Sequence, residues 1–283
     1  MDTPTVRDAV LRIKELPTLP SVLGKILATA ADPDASALDL GQHIAADQSL
    51  SATLLKLVNS AYYGFYRQIK SVTQAIVMLG FLEVRNLALT ATAFRALSKE
   101  SSDYNRLQLW RHSLATATAA ERIARLLNID KDGCFESGLL HDIGKVILDM
   151  LYPEAFRDAA HTAHEEQCPI VIVEQRIFGV DHAEIGGILG EHWNLPLSVV
   201  EAIRMHHRPS DATDDPRLVH ITAVANYLTY QAGVGEFSNG CPPDRPEASI
   251  AYLKLTDDLC AKVVEHLQAS QEKFDEFIGA LSA

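Results

Sequence analysis

The 283-residue sequence predicts an all-α protein, and three observations carry that reading. Apolar residues recur three and four apart through most of the chain, as on one face of a helix. Serine, threonine or aspartate stands before many of these runs, and glycine or proline often closes them. Strict apolar–polar alternation is not sustained anywhere in the first hundred residues, and no internal repeat or low-complexity tract is present.

In chain order, Val6, Val10, Ile13 and Leu16 share the first helical face. Leu16-Pro17-Thr18-Leu19-Pro20 is a stiff link, because proline fixes φ and removes a donor. A second helix runs from Val22 to Ala30 and stops at Asp32-Pro33-Asp34. Ser36 caps the next helix, which buries Leu38, Leu40, Ile44 and Ala45. Asp47 to Val58 repeats the pattern through Leu50, Leu54, Leu55 and Val58. The aromatic stretch Asn59 to Phe65 breaks it as a packed loop. Ser71 caps a helix that Gly80 ends, and Val84 to Leu97 is a further apolar helix. Ser98 to Asn105 is short and polar, a seam between subdomains.

In the second half, Leu107 to Asn128 is a helix whose alanines permit close packing. One helix then carries Ser137 to Leu148 through His141-Asp142-Ile143-Gly144-Lys145. Pro153 to Gln167 and Ile170 to Phe178 are helices separated by Cys168-Pro169. Asp181 caps the next, and Leu197 to Met205 leads into His206-His207-Arg208-Pro209. Arg217 to Gln231 is apolar and carries Asn226. Gly233 to Glu247 is a loop, and Thr256-Asp257-Asp258 caps one last amphipathic helix towards Leu281. The expected organisation is an N-terminal helical subdomain over 1–100, a second helical subdomain over 101–232 that carries the His141-Asp142 stretch, and a C-terminal loop and helix over 233–283.

Charge and composition narrow the functional classes. Apolar residues make up 47% and charged residues 22%, an ordinary globular balance, and the formal net charge is -12. A nucleic-acid surface needs clustered Lys and Arg, so no nucleic-acid partner is expected. No apolar run approaches the ~20 residues of a membrane span, and no signal peptide opens the chain. The four cysteines form no C-x-x-C pair and read as free thiols in a reducing, cytoplasmic compartment.

The chemistry-bearing residues concentrate between Leu107 and Arg208. His112, His141, Asp142, His182, His206 and His207 each lie near a helix end or on an inner face. Helical bundles build metal sites from such inward side chains. Imidazole with carboxylate is a usual ligand pair for a divalent transition metal, and a metal would also offset the cost of burying Asp142. His161-x-x-His164-Glu165 lacks the H-E-x-x-H order and reads as a solvated helix face.

The spaced pattern of a His, a later His-Asp and a final acidic position resembles the HD superfamily of metal-dependent phosphohydrolases. The match to one branch is closer: Leu16-Pro17-Thr18-Leu19-Pro20, Asp47-Gln48-Ser49-Leu50, Asn59-Ser60-Ala61-Tyr62-Tyr63-Gly64, Ser71-Val72 with Ala75-Ile76 and Leu79-Gly80, and Trp193-Asn194-Leu195-Pro196 resemble the HDOD domain. The resemblance covers about Arg12 to Leu228. It implies an all-helical bacterial signalling module acting through a protein partner, with metal-dependent hydrolysis of a phosphorylated small molecule as the alternative. It also implies one or two divalent ions (Fe, Mn or Mg) held by His112, His141, Asp142, His182, His206 and His207. Asp142 and Lys145 are the catalytic candidates, with Lys145 at the position of the residue near substrate phosphate. Asn226 stands where catalytic HD enzymes place Asp; its amide oxygen can coordinate but brings no negative charge. The Gly-Tyr-Pro signature of the HD-GYP branch is absent after His207, where Arg208-Pro209-Ser210 follows.

Overall fold

The computed structural model describes residues 24–26, 29, 36–60, 62–97, 106–129, 132–235 and 241–282. The helix expected at Val6–Leu16, the Leu16–Pro20 link, most of the Val22–Ala30 helix and the Ser98–Asn105 seam lie outside them. The described residues are helical, without a strand among them, as the periodicity predicts. None of their helices is long and apolar enough to cross a membrane. They fall into two compact units: the described residues of Pro17–Lys99 with Gln271–Ala283, and those of Glu100–Ser270.

The first unit contains α1 (Ala37–Ala45), α2 (Gln48–Val58), α3 (Val72–Leu79), α4 (Phe81–Leu97) and, from the far end of the chain, α15 (Gln271–Ser282). Its helix starts are written locally. Ser36 accepts from the Asp39 N–H while Asp39 accepts from the Ser36 N–H, a reciprocal capping box. Asp47 accepts from the Leu50 N–H at 2.9 Å, and Ser71 from the Gln74 N–H at 3.1 Å. Gly80 ends α3 at φ 90°, where a side chain would be strained. The Asn59 side chain clips the aromatic loop by pairing with both the N–H and C=O of Ile69. Tyr62 then sets its ring edge against Phe277 of α15.

The second unit contains α5 (Arg106–Leu126), α6 (Cys134–Leu140), α7 (Ile143–Leu151), α8 (Pro153–Glu165), α9 (Ile170–Phe178), α10 (His182–His192), α11 (Leu197–Met205), α12 (Pro216–Gln231), α13 (Glu247–Leu253) and α14 (Asp257–Ala269). Its core is built from Trp110, Phe156, Ile185, Val219, Val224 and similar residues with 0–1% exposure. A buried ion pair between Arg106 and Asp149 at 2.6 Å joins α5 to α7.

Two expectations are corrected here. The single helix through His141 is two, broken at His141-Asp142, with Asp142 at φ -98°, ψ 9°. The reason is tertiary: a Cβ on Gly144 would stand 1.9 Å from the His182 carbonyl oxygen, so α7 packs backbone to backbone against the start of α10. A straight continuation of α6 would forgo that approach. The last helix is likewise two, parted at Ser270, where the chain passes from one unit to the other. The short α13 lies just beyond the Gly233–Glu247 stretch and was not expected from the sequence.

Candidate metal centre

Close backbone contacts bring the candidate residues together. Gly138 of α6 sits against α5, where a Cβ would meet the Ala117 Cα at 2.6 Å. That approach sets His141, one residue past α6, beside His112 of α5, with ring centroids 5.4 Å apart. The Gly144 contact sets Asp142 beside His182, the first residue of α10. His206 and His207 follow directly from the end of α11. His112, His141, Asp142, His182 and His206 are all buried, whereas His207 is exposed at the rim.

Hydrogen bonds fix how three of the histidines present themselves. His141 Nδ1 donates to the Gly138 carbonyl at 2.8 Å, and His206 Nδ1 to the Ile203 carbonyl at 2.7 Å. His182 Nδ1 donates to Glu174 Oε2 at 2.7 Å. A carbonyl or carboxylate oxygen can only accept, so each proton sits on Nδ1 and the neutral ring offers its Nε2 lone pair. All three Nε2 atoms face the Asp142 carboxylate, at 3.4 Å for His141, 3.1 Å for His182 and 3.9 Å for His206. His141 Nε2 and His206 Nε2 are fully buried and find no hydrogen-bond partner. Lone pairs converging on a buried carboxylate form an arrangement that suits a cation.

The protonation of the site agrees. Burial alone would lower His182, but Glu174 and Asp142 on either side raise it to about 9, so without a metal Nε2 is protonated as well and turns that proton to Asp142, and a metal would have to displace it to gain the lone pair. Burial and the neighbouring His141 push His112 down to about 3, and burial with His207 holds His206 well below its ordinary value. Asp142 stays ionised: burial opposes its charge, but His141 and Lys145 outweigh it. Lys145 Nζ donates to Asp142 Oδ2 at 2.7 Å.

Two groups that could hold a metal ion emerge, His112–His141–Asp142 and His182–His206–His207, each with its donor atoms within 4.8 Å of one another. Asp142 stands between them, with Oδ2 towards His141 and His112 and Oδ1 towards His182 and His206. Asn226, on α12, places Oδ1 2.9 Å from His112 Nε2, so it belongs to this cluster. The cluster opens on a cavity of about 550 Å³, lined among others by Lys145, His206, His207, Arg208, Asn226 and Tyr230. His161 pairs with Glu165 on an exposed helix face, away from these residues, as read from the sequence.

Glu174 is the residue the sequence reading missed. It is fully buried and accepts from both the backbone N–H and Nδ1 of His182. A carboxylate that orients a ligating histidine and raises its basicity is a recurrent feature of metal sites. The signal was present: Ile170, Val173, Glu174 and Phe178 form the buried stripe of α9, with one acid among apolar residues.

Comparisons with known proteins identify the family and the fold. The HDOD domain family model matches residues 16–209. An uncharacterised protein of Treponema pallidum is 34% identical over 221 residues, which cover 76% of this chain and 42% of that protein. The chain therefore spans less than half the length of that curated relative. Among solved structures, an HDOD domain protein of unknown function from Geobacter sulfurreducens has TM-score 0.81 and 26% identity, covering 98% of this chain and 95% of that one. A candidate phosphohydrolase from Shewanella amazonensis has TM-score 0.75 and 21% identity, covering 96% and 98%, a likeness of fold. With the fold, the His/Asp cluster and the family match together, the chain belongs to the HDOD domain family.

Proposed function

We propose that this chain is a signal-transduction module that holds one or two divalent transition-metal ions at the His/Asp cluster. In this reading a phosphorylated small molecule occupies the adjoining cavity, and the bound state is passed to a protein partner in the cytoplasm. One observation carries the metal part: three histidines, each tied through Nδ1, turn their Nε2 lone pairs onto a single buried carboxylate. The ligands would be His112, His141, Asp142, His182, His206 and His207, with the Asn226 amide oxygen in reach of the first. A nitrogen-rich set suits Fe best, while the Asp142 and Asn226 oxygens are the donors that Mn or Mg would prefer. Asp142 stands between the two groups, and each group would supply ligands for an ion of its own, which supports two ions rather than one.

Metal-dependent phosphohydrolysis is the second reading, favoured by the Lys145 ammonium on the cavity wall. A divalent ion would supply Lewis-acid polarisation and a bound water of lowered pKa. Lys145 would hold a fixed positive charge towards phosphoryl oxygens, and the buried walls would keep bulk water from that charge. Asn226 weighs against turnover, because a carboxylate there would add negative charge to the ligand set.

Equilibrium binding of inorganic phosphate tests the reading. Binding is expected to the Mn(II)-loaded protein and to weaken at least tenfold with chelator or in Lys145→Ala. Equal binding without metal would overturn it. Turnover of an aryl phosphate by the loaded protein would select the second reading, and binding without turnover the first.

A further inference from the structure

We propose that Cys168 and Cys241 are a redox pair that closes into a reversible disulfide at the edge of the metal-site cavity. All four cysteines are free thiols, but they differ in placement. Cys134 and Cys260 are buried, and burial pushes the Cys260 thiol up. Cys168 and Cys241 are half-buried and reachable from solvent.

Seventy-odd residues apart in sequence, these two are joined directly through the main chain: the Cys241 N–H donates to the Cys168 carbonyl at 3.3 Å. A direct main-chain bond holds the two backbones side by side at these residues, the kind of approach a disulfide needs, since it spans Cα atoms roughly 4.4–6.8 Å apart. Each thiol also lies near a side chain of the turn that precedes Cys168. Cys168 Sγ lies 3.9 Å from Glu166 Oε2, and Cys241 Sγ lies 3.9 Å from the Oε1 of Gln167, the next residue.

Cys168 is held firmly on its side. Its N–H donates to the Ala163 carbonyl at 3.1 Å, closing the end of α8. Gln167 before it takes a left-handed φ of 50°, and Pro169 after it is fixed at φ -58°. Two prolines follow Cys241 and stiffen that side as well. Both segments reach the same cavity: Pro169 to Val171 line one part of its wall, and Cys241 with Pro243 to Ser249 another. A bond between the two sulfurs would therefore staple two parts of that wall together. The remaining thiols sit too deep to compete.

The oxidant is a small-molecule disulfide. One cysteine thiolate attacks it, forming a mixed disulfide and releasing one thiol. The second cysteine then attacks the protein-side sulfur of that mixed disulfide and releases the second thiol. Two protein thiols and one disulfide thus give one protein disulfide and two small thiols, and a dithiol reductant reverses the exchange.

The test uses the full chain, reduced and then exposed to glutathione disulfide, with trapping of free thiols and peptide mapping by mass spectrometry. The expected product is a Cys168–Cys241 linkage, with Cys134 and Cys260 unmodified and full reversal by dithiothreitol. Cys241→Ser should instead leave a glutathione on Cys168, and Cys168→Ser one on Cys241. Wild-type protein carrying glutathione on both cysteines without a linkage would overturn the pair. So would comparable yields of bonds to Cys134 or Cys260. Amide hydrogen exchange reads the staple separately: oxidation should slow exchange across Cys241–Leu253 in wild type and leave it unchanged in Cys241→Ser. Unchanged exchange in oxidised wild type would refute the stapling. Neither readout requires metal in the cluster.

Discussion

Replacing Glu174 by Gln probes the metal site without altering any residue that would touch an ion. Glu174 Oε2 accepts from His182 Nδ1 at 2.7 Å and from the His182 backbone N–H at 2.9 Å, in a fully buried setting. Glutamine preserves the shape and one acceptor oxygen, so the tautomer survives while the charge is lost. A hydrogen bond to a charged group contributes about 1.5–3 kcal/mol and a neutral one about 0.5–1.5 kcal/mol. The difference of about 1–1.5 kcal/mol corresponds to roughly five- to twelvefold in affinity. Loss of such an orienting partner elsewhere costs about 10- to 100-fold. We therefore expect Mn(II) affinity to fall about tenfold, measured by competition with a fluorescent chelator at pH 7.5. The metal-free protein gives an independent reading. His182 is raised to about 9 in the fold, against about 6.5 when unfolded. Its protonation thus stabilises the fold fully below pH 6.5, and that contribution is lost as pH rises through 9. Glu174→Gln should flatten this decline in thermal unfolding. An affinity within twofold of wild type, with an unchanged pH profile, would refute the role of Glu174.

Other substitutions test separate links. Gly144→Ala should destabilise the fold by about 3 kcal/mol or more in urea, because its Cβ meets a backbone carbonyl that cannot turn aside. Wild-type stability would mean that α7 and α10 do not pack so closely. Asp47→Ala should cost about 1 kcal/mol, since the carboxylate caps α2. The Leu50 N–H holds Asp47 below the usual carboxylate range, with Arg95 adding to the effect. Its contribution is therefore present above the unfolded pKa and lost as pH falls through the folded one, so the gap between wild type and variant should close in acid. Asn226→Asp should tighten Mn(II) binding severalfold by adding charge beside His112. No gain in calorimetry would place Asn226 outside the ligand set.

What could be read from the sequence, and what could not, follows the range of the forces involved. Ser36, Asp47, Ser71, Asp181 and Thr256 each accept a backbone N–H three residues on, a signal contained within four residues. The gathering of His112, His141, Asp142, His182 and His206 was legible because each stands at a helix end or on an apolar face. The break at His141-Asp142 was not. It depends on the meeting of Gly144 with the His182 carbonyl, thirty-eight residues away, and local propensity favours a continuous helix there. Glu174 was hidden for a similar reason: an acid in an apolar stripe shows its role only once a histidine from another helix is placed against it. The last helix was over-extended because its amphipathic pattern runs on past Ser270, where the chain changes units.

The most direct measurement is elemental mass spectrometry on protein purified without a metal-binding tag, with His141→Ala beside it. The convergence of the His141, His182 and His206 lone pairs on Asp142 predicts near-stoichiometric Fe or Mn in wild type and a large loss in the variant. Less than about 0.1 equivalent in wild type after reconstitution, with His141→Ala indistinguishable from it, would contradict a metal centre at this cluster.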